Sequence, residues 1–199
     1  MIITFVTGNS HKVEEAVAIC SSRGIKIVQN DCGYPELQED DVAAVAAYGA
    51  ENAANRLGSA VIVEDTGFYI DALHGFPGPY AAYVQDTIGN AGILSLMQDI
   101  GDRGATFRSV IGYCEPGTDP VTFEGAVTGR IAHRPEGEGG FGYDPIFEIN
   151  GVTLASMGDA KNKISHRGKS FEKFADWFLG REGCKATPPG DLTAHTRGV

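Results

Sequence analysis

Cysteine is scarce in this chain of 199 residues, and Cys20, Cys32, Cys114 and Cys184 form no C-x-x-C pair. A zinc site or a disulfide framework is therefore not expected. Cys20 and Cys114 sit in apolar patterns and read as buried thiols. Long apolar runs are missing too. Nothing approaches the roughly 20 residues that a membrane-spanning helix needs, so no membrane partner is expected. Met1-Ile2-Ile3-Thr4-Phe5-Val6 lacks the basic start of a signal peptide and reads as a first strand, which points to a cytoplasmic protein. Positive charge is the third shortage: 16 Lys and Arg face 26 Asp and Glu, for a net charge of −10. Such a surface repels nucleic acid and anionic lipid, so a stable nucleic-acid partner is not expected.

What is present is an alternation of strand and helix patterns long enough for one domain with a sizeable core. A strand over residues 2–6 leads into a helix with Val13, Ala16, Val17 and Cys20 at helical spacing, capped by Asn9 or Ser10. Ile25 to Val28 reads as a second strand. Asp40 can cap a helix carrying Val42, Val45, Ala46, Gly49, Ala53 and Leu57 on one face. Ala60 to Val63 reads as a buried strand that stops at Glu64-Asp65-Thr66-Gly67, and residues 74–79 as irregular, because Pro and Gly alternate there. Asn90 to Ile100 is a predicted helix. Phe107 to Cys114 and Val121 to Ala132 form a predicted hairpin, and Ser170 to Leu179 an amphipathic helix closed by Gly180. The expected domain spans 1–182, with a Pro-, Gly- and Thr-rich flexible tail over 183–199. The order of elements predicts an α/β fold with a mixed sheet.

The few basic residues gather at two predicted helix starts, Thr7-Gly8-Asn9-Ser10-His11-Lys12 and Lys161-Asn162-Lys163-Ile164-Ser165-His166-Arg167. Positive charge is unwelcome there, because the helix dipole is already positive, whereas backbone N–H groups and cations together suit an anion. A ligand with several phosphates fits both sites. Glu64-Asp65 places two carboxylates beside a buried strand. If the strand continues they point to opposite faces, so one can hold a metal while the other holds structure. Glu36, in the polar loop, gains weight only as a second oxygen ligand for Mg²⁺ beside Asp65. Gly137-Glu138-Gly139-Gly140-Phe141-Gly142 matches G-x-G-x-x-G, but no strand precedes it and Tyr143-Asp144-Pro145 blocks a helix, so a Rossmann site is rejected. That loop instead lets backbone approach a ligand, with Phe141 or Tyr143 either stacking on a base or buried as core. No Ser or Cys has a convincing partner for covalent catalysis.

Taken in order, these pieces resemble the inosine triphosphate pyrophosphatase family, the noncanonical purine nucleoside triphosphate pyrophosphatases. The matching segments are Thr7-Gly8-Asn9-x-x-Lys12, Tyr34-Pro35-Glu36-x-Gln38, Glu64-Asp65-Thr66-Gly67, Gly75-Phe76-Pro77-Gly78-Pro79-Tyr80, Gly140-Phe141-Gly142-Tyr143-Asp144-Pro145 and Lys161-Asn162-x-x-Ser165-His166-Arg167. They cover about residues 2–180, and Val84 to Asn90 with Val110 to Cys114 look most like archaeal members. The resemblance implies hydrolysis of ITP, dITP or XTP to monophosphate and pyrophosphate, with Mg²⁺, by a homodimer. It also implies an elongated mixed sheet flanked by helices, in two lobes with the active-site cleft between them. It makes Asp65 the key carboxylate and Glu36 with Asp65 the metal ligands. Thr7, Gly8, Asn9, Ser10, His11, Lys12, Thr66, Phe141, Gly142, Tyr143, Asp144, Lys161, His166 and Arg167 become substrate contacts. Lys12 and Lys161 are expected on phosphate, and Phe141, Tyr143, Asp144, His166 and Arg167 at the base. Three positions depart from the family pattern: Ala82 and Tyr48 stand where relatives often or sometimes carry Lys, and Ala160 replaces an acidic residue.

Overall fold

The structure is a computed structural model that describes residues 1–35 and 37–185. The chain alternates early, as its pattern predicts. Strand β1 (Ile2–Val6) leads to α1 (Ser10–Ser21), β2 (Lys26–Asn30), α2 (Val42–Leu57) and β3 (Val61–Ile70). The Asn9 side chain caps α1 by accepting from the Lys12 amide. The cap of α2 is Asp41, one residue later than Asp40, and Gly58 closes that helix in the left-handed conformation that a side chain resists. After β3 come β4 (Pro77–Gly78), α3 (Ala81–Thr87), α4 (Gly89–Leu96), the hairpin β5 (Gly104–Cys114) and β6 (Val121–Ile131), then β7 (Phe147–Ile149) and β8 (Val152–Thr153). Helices α5 (Lys161–Ile164) and α6 (His166–Lys185) finish the described chain.

The eight strands form one mixed sheet in the order β2-β1-β3-β5-β6-β7-β8, with β4 also paired to β3. Strands β2, β1 and β3 run parallel; the remaining pairs are antiparallel. Two apolar clusters sandwich one end of it. Phe5, Ile62, Ile111, Phe171 and Phe174 pack beneath α1 and α6, while Val61, Val63, Val110, Ala46 and Ala50 pack beneath α2. A third cluster, with Phe68, Phe107, Tyr143, Phe147, Ile93 and Met97, packs the other end against α3 and α4. These are the two lobes, and β3 and β5 run through both.

Several elements differ from the sequence pattern. Strand β3 does not stop at Glu64. It continues to Ile70, because β5 pairs with all ten of its residues and the ladder outweighs the weak strand propensity of Glu64, Asp65 and Gly67. Helix α6 starts at His166, not Ser170, because the Ser165 Oγ accepts from the Gly168 amide and begins the helix there. It also passes through Gly180 to Lys185. Helix α3 and the short strands β4, β7 and β8 have too few residues to show a period. Of the expected tail, residues 186–199 lie outside the described residues.

Close approach at one glycine sets where α6 sits. A Cβ on Gly125 of β6 would collide with the His166 carbonyl and the Ser170 amide. Gly125→Val should therefore lower stability by about 1–3 kcal/mol through overpacking, read as a drop in the urea midpoint. An unchanged midpoint would mean that α6 seats elsewhere.

Candidate active site

The site lies at the seam between the lobes. On one edge of β3, pairing with β1 covers Val61 and Ile62, and pairing with β4 covers Phe68 and Tyr69. Among the described residues, no strand covers that edge at residues 63–67, while β5 holds the other side. Helix α1 starts beside this gap, and Lys12 Nζ donates to the Glu64 carbonyl at 2.9 Å.

Because the strand continues, the two carboxylates face opposite sides of the sheet. Glu64 shares the face of Ile62, towards α1 and α6; Asp65 shares that of Val61 and Val63, towards α2. Glu64 Oε1 accepts from the hydroxyls of Ser109 (2.6 Å) and Thr66 (2.6 Å) and from Arg167 Nε (3.2 Å). Its Oε2 lies 2.8 Å from Lys12 Nζ. Arg167 also donates to Glu15 Oε2 at 2.6 Å and to Thr66 Oγ1 at 3.1 Å. Lys161 Nζ donates to Glu15 Oε1 at 2.5 Å and to Asp144 Oδ2 at 2.8 Å. Glu64, Asp144, Lys161 and Arg167 are only 2–5% exposed, so their charges must be matched within the protein. They are: Lys12, Lys161 and Arg167 face Glu15, Glu64 and Asp144.

This balance revises the argument from charge. The basic stretch at 161–167 is not bare, because the chain itself supplies carboxylates to Lys161 and Arg167. Burial alone would raise the pKa of Glu64, but Arg167 and Lys12 outweigh it and hold the carboxyl far below the usual range. Glu15 behaves likewise, with Arg167 and Lys161 overcoming its burial. Burial and the neighbouring Arg167 push the His166 pKa well down, so its imidazole is neutral.

The glycine loop is tied to the same network. Asp144 Oδ2 accepts from the Phe141 amide at 2.8 Å, and a Cβ on Gly140 would strike the Asp144 carboxylate. Asn90 Nδ2 donates to the Gly142 carbonyl at 3.0 Å. Phe141 stacks on His11 at 5.2 Å, with Lys161 Nζ 5.0 Å and Arg167 Cζ 5.2 Å from its centroid. Tyr143 belongs to the core: its ring stacks on Phe68 at 4.5 Å and its hydroxyl donates to the Ala81 carbonyl. The His166 ring stacks on Phe107 at 4.5 Å.

Two cavities open on the gap. The first, of about 610 Å³, is lined by Thr7, Gly8, Tyr34 and Asp65 among others. The second, of about 340 Å³, is lined by Thr66, Phe141, Gly142, Tyr143, Asp144, Lys161, His166 and Arg167, among others. They share Asn9, Lys12 and Ala82. Ser10 and His11 are exposed at the start of α1 and lie outside both linings. Glu36 lies outside the described residues, although Tyr34 and Leu37 beside it line the first cavity. Sequence reasoning missed Glu15, Ser109 and Asn90 and gave Glu64 no partners. Glu15 carried a signal: it lies one helical turn beyond Lys12, on the same side of α1.

Residues 3–177 match the Ham1 family. The chain belongs to that family. It is similar to a "dITP/XTP pyrophosphatase" of Methanosarcina mazei, 52% identical over 179 residues, covering 89% of this chain and 97% of the relative. A protein of the same name from Methanopyrus kandleri is 55% identical over 181 residues, covering 89% and 96%. Among solved structures, a HAM1 protein from Coxiella burnetii aligns with TM-score 0.79 at 28% identity, over 90% of this chain and 99% of that one. The Ham1 protein of Staphylococcus aureus aligns with TM-score 0.76 at 27% identity, over 91% and 100%. The Ham1 fold is thus an α/β fold with a central mixed sheet flanked by helices. None of the described helices is long and apolar enough to cross a membrane.

The buried network makes this Ham1 chain sensitive to acid. The folded-state pKa values of Glu64 and Glu15 lie below those of the unfolded chain. Their stabilisation is complete above about pH 5 and is lost as pH falls below about 4. Glu64→Gln leaves Lys12 without its charge partner and Arg167 with Glu15 alone, and should cost roughly 3–5 kcal/mol at neutral pH. Urea unfolding across this range should show a flatter acid limb for Glu64→Gln than for the natural chain. Parallel curves would mean that Glu64 titrates no differently when folded.

Proposed function

We propose that this Ham1 chain hydrolyses dITP, ITP and XTP to the monophosphate and pyrophosphate, clearing them from the nucleotide pool. The observation that carries the reading is the pair of cavities joined at Asn9 and Lys12. One has a carboxylate and a helix start, which suits polyphosphate; the other has aromatic and polar groups, which suits a purine. The names of the relatives support the same substrates.

In this reading Thr7, Gly8, Asn9 and Lys12 hold phosphate at the start of α1. Lys161 is held by two carboxylates, Glu15 and Asp144, and lines only the second cavity, whereas Lys12 is held by Glu64 alone and lines both, which makes Lys12 the main phosphate cation. Among the described residues lining the first cavity, Lys12 is the only cation, facing Glu39, Glu64 and Asp65. That shortage suits a divalent cation. Glu64 is consumed by Lys12, Arg167, Ser109 and Thr66, so Asp65, with Glu36, would hold Mg²⁺ together with substrate phosphate and water. When bound, Mg²⁺ offsets the charge that develops on the phosphates. Asp65 orients the attacking water, and the bond between the α- and β-phosphates breaks, so that pyrophosphate leaves with its charge near Lys12.

At the other end Phe141 covers the base and neutral His166 reads its polar edge. Arg167 has five N–H groups, of which three are given to Glu64, Glu15 and Thr66, leaving two for a purine carbonyl. A carbonyl at C6 accepts from such donors, whereas the amino group of adenine does not. We also propose a homodimer in the cytoplasm and a single enzymatic domain, to which α6 belongs as far as Lys185; light scattering on the purified protein tests the dimer.

The decisive measurement is release of pyrophosphate and of orthophosphate from ITP, XTP, GTP and ATP, with and without Mg²⁺. Pyrophosphate from ITP and XTP, dependent on Mg²⁺ and far ahead of ATP, is expected; orthophosphate with IDP as first products would sink the proposal. Asp65→Asn keeps the shape and removes the charge, and should slow turnover about a hundredfold or more. Near-natural turnover in folded Asp65→Asn protein would remove Asp65 from the reaction.

A further inference from the structure

Gln85 is a polar group in the second cavity that the mechanism above does not use. It sits on α3, one turn after Ala81, whose carbonyl receives the Tyr143 hydroxyl and so fastens this helix to the cavity wall. The residue is half-buried and lines the cavity together with Phe141 and His166. Its Oε1 is shielded from solvent and has no hydrogen-bond partner among the described residues. His166 Nδ1, on the same cavity, is in the same condition. Buried polar atoms are nearly always paired, so two unpaired atoms on one cavity call for a partner that arrives with a ligand.

The chemistry of that partner follows from the two atoms. An amide oxygen only accepts, and so needs a donor. A neutral imidazole nitrogen can carry the proton and donate. With the proton on Nδ1, the two atoms together fit a ligand that offers both a donor and an acceptor. The 6-oxopurines offer these, with N1–H next to the C6 carbonyl. Adenine has the reverse, an acceptor N1 next to the 6-amino group.

We propose that Gln85 is a base-reading residue whose Oε1 accepts the N1–H of a 6-oxopurine in the cavity it shares with His166. The inference rests on the proposed nucleotide-hydrolysing function and adds to it a contact from α3. Guanine shares N1–H, so Gln85 sorts 6-oxopurines from adenine and does not separate ITP from GTP.

Two variants test it, Gln85→Met, which keeps the length and loses the oxygen, and Gln85→Glu, which keeps an acceptor that cannot turn into a donor. The readouts are KM for ITP and ATP by pyrophosphate release, and the inhibition constant of inorganic triphosphate, which has no base. Gln85→Met should raise KM for ITP about tenfold, the effect of one lost buried hydrogen bond, with triphosphate inhibition unchanged. Gln85→Glu should keep most of the ITP affinity and weaken ATP further. The proposal is overturned if Gln85→Met leaves KM for ITP unchanged, if it shifts triphosphate inhibition as much as ITP, or if Gln85→Glu loses ITP as badly as Gln85→Met. A natural chain that releases no pyrophosphate from ITP overturns the proposed function and this inference with it. A natural chain that does so, with indifferent Gln85 variants, removes Gln85 alone.

Discussion

The structure turns on one buried carboxylate. Glu64 lies in the middle of β3, its Oε1 accepting from Arg167 and two hydroxyls and its Oε2 ion-paired with Lys12. A charge in that position is tolerable only when every partner is present. Lys12 comes from α1, Ser109 from β5 and Arg167 from α6, so these elements must all arrive before Glu64 is satisfied. Through Arg167 the network extends to Glu15, and through Lys161 to Asp144 and the glycine loop. A single connected set of ion pairs therefore fixes the walls of both cavities relative to one another.

The backbone makes room for this network in two ways. The uncovered stretch of β3 between β1 and β4 leaves a gap in an otherwise continuous sheet, and α1 points its first turn into that gap. Glycines then allow close approach where side chains would block it. Gly125 lets α6 lie against β6, which sets the depth of His166 and Arg167, and Gly140 lets the loop wrap the Asp144 carboxylate. The apolar clusters on either side of the seam hold the lobes, while the seam itself is polar.

Much of this was legible along the chain. The strand and helix around Asn9, the face of α2 and the β5–β6 hairpin follow from local periodicity and capping, because each is decided by residues within a few positions of one another. The ordered motifs pointed to the family to which the chain belongs. Less legible was the path of β3, where three weak strand formers, Glu64, Asp65 and Gly67, are carried by a long-range ladder. The same holds for Tyr143, whose place in the core depends on Phe68, 75 positions away in sequence.

By itself, then, the sequence determined which residues bring chemistry to the site: the cations at two helix starts, the Glu-Asp pair on a strand and the glycine loop with its aromatic residue. These are properties of composition and spacing. Only the tertiary structure decided what those groups face. The helix starts looked like bare positive charge in an acidic protein, yet Glu15, Glu64 and Asp144 come to Lys161, Arg167 and Lys12 from distant parts of the chain. The alternation of a strand sends Glu64 to one face and Asp65 to the other, so one is buried in ion pairs while the other lines the first cavity. Charge compensation acts through space, and spacing along a chain does not record which carboxylate folding will bring within 3 Å of a given cation.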